Sequence, residues 1–199
     1  MIKAIIFDLG NVIVNVDETN LYHKWAEGSG KNFGYVTDYY ENSATRKDFE
    51  KGKFTPGEFY NKVVEEINLK MNFSEFKKAY CDIFTLNNDV ANLIRKLKKN
   101  FRLILLSNTD ILHFECIKKK YKIINEFDDY VLSYKVHCRK PNPLIFMYAI
   151  KKSKALPFNC AYIDDIGEFI YVAKLMGIKA FQYMNFRKLK QDLSNAKVL

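Results

Sequence analysis

The chain has no apolar run approaching the roughly 18 to 20 residues that cross a bilayer, which excludes a transmembrane helix. It shows no signal-peptide pattern, since Met1-Ile2-Lys3 leads straight into strand-like sequence, and a cytoplasmic protein is expected. Its four cysteines (Cys81, Cys116, Cys138, Cys160) form no CxxC pair and have no metal-ligand spacing, so reduced thiols are expected. No helix-turn-helix, RNP or zinc-finger signature accompanies the net charge of +9. The lysines instead interleave with apolar positions, as in Arg95-Lys96-Leu97-Lys98-Lys99. That pattern gives a solvated basic surface and no nucleic-acid site, with a positive field that also attracts anionic substrates. Internal repeats, low-complexity tracts and long linkers are missing as well.

What is present fits a globular protein. At 199 residues and 48% hydrophobic content the chain can bury an adequate core as one domain with a modest insertion. After a first strand, Ala4-Ile5-Ile6-Phe7, the segment from Asp17 to about Asp82 has helical period. Leu21-Tyr22-Trp25, Phe59-Val63-Val64-Ile67 and Phe73-Phe76-Tyr80 are its apolar stripes, the last with polar starts near Ser74-Glu75. Thr55, Pro56 and Glu58 predict a helix start with a capping box and proline in the first turn. From Asn88 onward strands and helices alternate, with strands at Leu103–Leu106, around Tyr130-Val131-Leu132, at Cys160–Ile163 and at Ile178–Tyr183. A helix through Phe169, Val172, Ala173 and Met176 stops at Gly177, and the stripe Phe186-Leu189-Leu193 predicts a closing helix. Such alternation implies right-handed crossovers and a parallel sheet covered on both faces. The expected fold is α/β, a Rossmann-like doubly wound sheet formed by residues 1–16 and 83–199, with a small all-helical cap inserted at 17–82.

Chemistry-bearing residues follow the strands. Asp8 ends the first one and is followed by Gly10-Asn11, residues that tolerate tight backbone; a carboxylate held there can attack phosphorus, or simply cap the turn. Ser107-Asn108-Thr109 offers a hydroxyl and backbone N–H groups at a helix start, which favours anions, although these are also ordinary N-cap residues. Lys140, between Arg139 and Pro141, can neutralise a nucleophile and a transferring phosphoryl group, or can face solvent. Asp164-Asp165 places two carboxylates at a buried strand end, where they repel unless a cation offsets them; Mg²⁺ with its oxygen ligands suits them, and helix capping with a salt bridge is the structural alternative.

In this order and spacing, FDLGNV, LLSNT, RKP and YIDDIG resemble the haloacid dehalogenase superfamily of phosphotransferases. The cap segment EKGKFTPGEF and the later AKLMGI are similar to the branch that holds the bacterial α-glucose-1-phosphate phosphatase and the phosphatase domain of soluble epoxide hydrolase. The resemblance implies Asp8 as nucleophile and Mg²⁺ ligand, Gly10 lending a backbone carbonyl to the metal, and Ser107 and Asn108 holding the phosphoryl oxygens. It implies Lys140 stabilising the developing charge, Asp165 on the metal, and Asp164 in the outer shell or as a second ligand. The implied activity is Mg²⁺-dependent hydrolysis of a small phosphorylated metabolite, hexose 1-phosphates favoured, through an aspartyl-phosphate on Asp8.

Two positions depart from the superfamily pattern. Gly10 stands where a second aspartate usually acts as general acid and base, an absence that typically costs 10² to 10⁴ in rate, roughly 3 to 5 kcal/mol. Phe169 stands where relatives place an amide that supports the lysine or the metal; it also suits the apolar face of the next helix. Two other readings follow: a non-catalytic or weakly active protein that binds a phosphorylated ligand or a partner, and a metal-independent haloacid dehalogenase, against which Asp164-Asp165 argues. His23 and the cap aromatics Trp25, Phe33, Tyr35, Tyr39 and Tyr40 are weighed as pocket residues and read first as packing ones. The sequence carries no signal of oligomeric state.

Overall fold

Ala4-Ile5-Ile6-Phe7 has no solvent exposure, and the fold is arranged around it. The computed structural model describes residues 1–199. β1 (Ala4–Phe7) and β2 (Val14–Val16) lead into five helices, α1 (Thr19–Ser29), α2 (Phe33–Asn42), α3 (Ala44–Phe49), α4 (Pro56–Ile67) and α5 (Phe73–Cys81). The chain returns through β3 (Phe84–Leu86) to α6 (Asn88–Leu97), β4 (Arg102–Ser107), α7 (Ile111–Lys120), β5 (Asp129–Leu132) and the single turn α8 (Ser133–Val136). It closes with α9 (Pro143–Ser153), β6 (Cys160–Asp164), α10 (Gly167–Leu175), β7 (Lys179–Gln182) and α11 (Phe186–Asn195).

The sheet runs β5-β4-β1-β6-β7 with every pair parallel, as the alternation predicts. β1 lies in the centre, where the strand order reverses, so the C-terminal ends of β1, β4 and β6 surround the crevice of a doubly wound sheet. Alternate side chains face opposite ways. Ile5, Phe7, Leu103 and Leu105 join a cluster with α6, α7, α11 and the inserted helices; Ala4, Ile6, Ile104 and Leu106 join a second one under α9 and α10.

Between β2 and β3 the chain forms helices only. The capping box at Thr55 and Glu58 is present, with Pro56 in the first turn. α5 starts one residue earlier than the polar pair Ser74-Glu75 suggests, capped by Asn72 with Glu75 as its reciprocal partner. β2 and β3, unpredicted, pair antiparallel and join the insertion to the sheet; three residues each is too short for periodicity to register. Trp25 and Tyr40 are buried, whereas Phe33 and Tyr35 are exposed, and Tyr39 donates to Glu66.

The expectation of four reduced thiols is corrected for two of them. Cys81 and Cys116 form a disulfide with Cα atoms 6.1 Å apart, while Cys138 and Cys160 are free and buried. α5 and α7 lie side by side, a proximity that a separation of 35 residues conceals. No helix is long and apolar enough to cross a membrane.

Candidate active site

Asp8 directly follows β1 and extends its pairing, its N–H donating to the Ile163 carbonyl at 2.9 Å. Asn11 then takes a left-handed conformation (φ 53°) and its side chain accepts from the Val16 N–H, closing the loop. Ser107 ends β4 and is buried. Beyond it, Ser133 ties the turn down: it accepts from the Thr109 N–H at 2.9 Å and donates to the Thr109 carbonyl at 2.8 Å.

The loop before α9 delivers Lys140, whose Nζ donates to Asp8 Oδ1 at 2.7 Å and to Asp164 Oδ2 at 2.6 Å while only 3% of the residue is exposed. Asn108 fixes that lysine. Its Oδ1 accepts from the Lys140 N–H at 2.7 Å and its Nδ2 donates to the Lys140 carbonyl at 3.0 Å. The amide expected at the phosphoryl group thus bonds both backbone groups of the lysine and keeps a second Nδ2 hydrogen. Phe169 sits with its ring centre 5.0 Å from Lys140 Nζ, where its π face meets the ammonium, and it also belongs to the core beneath α10. Phe169 thus packs in the apolar face of α10, as the second reading expected, and touches the lysine with its ring in place of an amide.

The carboxylates differ in what they have left to offer. Asp164 is fully buried; it accepts from Lys140, from the Tyr162 hydroxyl and, at 2.8 Å, from the Ile166 N–H. Asp165 is half-buried. Asp8, Asp164 and Asp165 each present an oxygen within 4.8 Å of the others. Burial, reinforced by Asp164 and opposed by Lys140, pushes the Asp8 carboxyl up to about 7. Burial and then Asp164 raise Asp165 too, against its own backbone and Asn11. Burial works against the Lys140 ammonium, but Asp8 and Asp164 outweigh it and raise its pKa, so it stays charged. One ammonium faces three carboxyl groups, a deficit of positive charge that a hard dication with oxygen ligands would relieve.

Gly10 has space for a side chain. A Cβ there meets only Val16 Cγ2 at 3.5 Å, an ordinary contact, and the backbone is not left-handed. Facing it are residues that the sequence reading missed. Glu18 opens α1 without capping it and forms no ion pair. Arg46 and Glu50 of the insertion pair at 2.8 Å, and Glu50 lies 2.6 Å from Arg139 beside the lysine. His113 of α7 reaches the same region. Two adjoining cavities of about 300 and 120 Å³ run between these residues and the strand ends. Charges at Glu18, Arg46 and Glu50 read as solvated helix faces in a charge-rich chain, and the i, i+4 pair Arg46 and Glu50 was the only signal available. His23 packs against Phe33 with the two rings tilted at 45°, is exposed, and lines neither cavity.

A family model described as "Hydrolase: haloacid dehalogenase-like hydrolase" matches residues 2–177. The D-ribitol-5-phosphate phosphatase of Bacteroides thetaiotaomicron is 29% identical over 202 residues, covering 98% of each chain. A crystal structure of a haloacid dehalogenase family enzyme from that species, in complex with magnesium and inorganic phosphate, is similar with a TM-score of 0.82 at 25% identity, covering 92% of this chain and 94% of the other. A HAD-like family hydrolase of Porphyromonas gingivalis shares the fold at a TM-score of 0.81 and 22% identity, covering 98% of both. With the model matching from just before β1 to the end of α10, across every strand end that bears a site residue, the chain belongs to the haloacid dehalogenase-like hydrolases.

Proposed function

We propose that this protein is a Mg²⁺-dependent phosphatase of small phosphorylated metabolites and works through an aspartyl-phosphate on Asp8. The observation that carries the reading is Lys140 Nζ held between Asp8 and Asp164, with Asp165 beside them at the mouth of a polar cavity. Lys140 holds Asp8 Oδ1, so Oδ2 is the oxygen we assign to attack. It forms a bond to phosphorus as the ester P–O bond breaks, and the leaving oxygen takes its proton from solvent, because Gly10 has none to give. Water then displaces the Asp8 carboxylate from phosphorus and frees phosphate. Ser107 and the Asn108 N–H hold the phosphoryl oxygens, and Lys140 offsets their charge. The three carboxyl groups fit Mg²⁺, for which Asp8, Asp165 and the Gly10 carbonyl are the assigned ligands and Asp164 an outer support; bound there, the ion supplies positive charge to the transferring group.

Residues 17–82 act as the cap in this reading, and the cavity size suits a short, hydroxyl-rich ester. Two substrate classes lead: sugar 1-phosphates, whose anomeric leaving oxygen needs little protonation, and pentitol 5-phosphates, which the Bacteroides relative's name brings forward. The test is phosphate release from both classes with and without Mg²⁺. Turnover should require the ion and disappear in Asp8→Asn; tight binding of a sugar phosphate with no release in Mg²⁺ would instead make the protein a non-catalytic binder.

A further inference from the structure

α9 and α10 cover one face of the sheet side by side, and their inner residues Ile145, Phe146, Ala149, Ile170 and Ala173 are buried there. Their outer face is also apolar. Leu144, Met147 and Tyr148 project from α9 and Tyr171 and Leu175 from α10, all exposed. Leu156 and Phe158 continue this surface: the turn holding them meets the end of α10, where Pro157 lies 3.6 Å from a Cβ built on Gly177. The surface helices over the opposite face differ, since α6 turns Asn92, Arg95 and Lys96 outward and α11 turns out Arg187, Lys188 and Lys190. A helix apolar on both sides is one whose outer side is covered too.

We propose that this α9/α10 face is the interface of a two-fold homodimer. Seven large apolar residues on this face are between 38% and 69% exposed, and a cluster of that kind on a monomer marks an interaction surface. Charge favours a second copy of the same chain. Glu168 and Lys174 flank Tyr171 three residues away on either side, both exposed. Antiparallel apposition therefore brings the acidic N-terminal end of one α10 towards the basic C-terminal end of the other, the self-complementarity that a two-fold contact requires. α9 begins just after Lys140-Pro141 and α10 just after Asp164-Asp165, so the contact braces both loops from outside.

The test is sedimentation equilibrium of the full chain. The mass should be about twice 23.4 kDa, and Tyr171→Glu and, separately, Met147→Lys on α9 should each raise the dimer dissociation constant at least about 30-fold. Phe33→Glu, an equally apolar exposed site on α2, should leave it unchanged. Circular dichroism of each variant separates lost association from lost folding. A wild type that stays monomeric up to about 100 μM would overturn the proposal and leave the face to some other partner. A folded Tyr171→Glu and a folded Met147→Lys that both remain dimeric would overturn it as well.

Discussion

At position 10 the chain has room for a Cβ on a backbone that any residue adopts, and carries no side chain. The absence is chemical, which makes it reversible. Gly10→Asp supplies a proton donor two residues from Asp8 and should raise kcat on unactivated alkyl phosphates by about 10² to 10⁴, with far less gain on aryl or anomeric esters. Steady-state rates on a matched alkyl and aryl pair check it; equal gains on both would contradict a protonation role. Asp8, Lys140, Asp164 and Asp165 were legible because each follows a strand-like run or stands in a short loop between elements. Asn108 was legible as a candidate site residue, but its bonds to the Lys140 backbone were not. Nothing local says that its amide will face the backbone of a lysine 32 positions away. Glu50 opens the cap segment and pairs i, i+4 with Arg46, but its place beside Arg139 was not legible, because that exists only once the insertion has folded over the strand ends.

Among the elements, the junction of α5 and α7 ties the insertion to the sheet. Asp110, fully buried, accepts from the Tyr80 hydroxyl at 2.9 Å and lies 3.1 Å from His113 Nδ1, while His113 Nε2 meets the Tyr80 carbonyl at 2.9 Å. Burial alone would raise Asp110, but His113 and these hydrogen bonds overcome it and hold the carboxyl below its usual range. A group depressed in the folded state contributes stability above its unfolded value near 4 and loses it as pH falls through the folded one. Asp110→Asn should therefore cost about 3 kcal/mol at pH 7, and the gap in Tm from wild type should narrow below about pH 4 in melts across that range. The disulfide reinforces the same junction. Closing a loop of 35 residues is worth about 3 to 4 kcal/mol in the chain-entropy picture, so a thiol reductant should lower Tm by about 10 °C and leave Cys116→Ala unaffected. The capping box of α4 was readable because it is spelled within four residues, whereas this junction joins residues that only tertiary folding brings together.

The whole molecule carries a net charge of +9, a field that attracts an anionic substrate. Raising salt from about 0.01 to 0.15 M shortens the screening length from roughly 30 to 8 Å, so kcat/KM for a phosphate ester should fall several-fold while kcat holds. A fall in kcat of the same size would place the effect inside the site. The doubly wound sheet was legible from the alternation of strands and helices, since each element announces itself by period; the face that meets a neighbour was not, because apolar residues on both sides of a helix look like core. The central place of β1 has one more consequence. It is made before either of its partners, so Ala4 must wait for Arg102 on one side and for Cys160 on the other. At about 5 to 20 residues per second that wait lasts roughly ten seconds or more on the ribosome, with an apolar strand left unpaired in the nascent chain. Newly made copies should thus be clients for whatever shields nascent chains, and Asp8, at the end of β1, should wait as long for its neighbours.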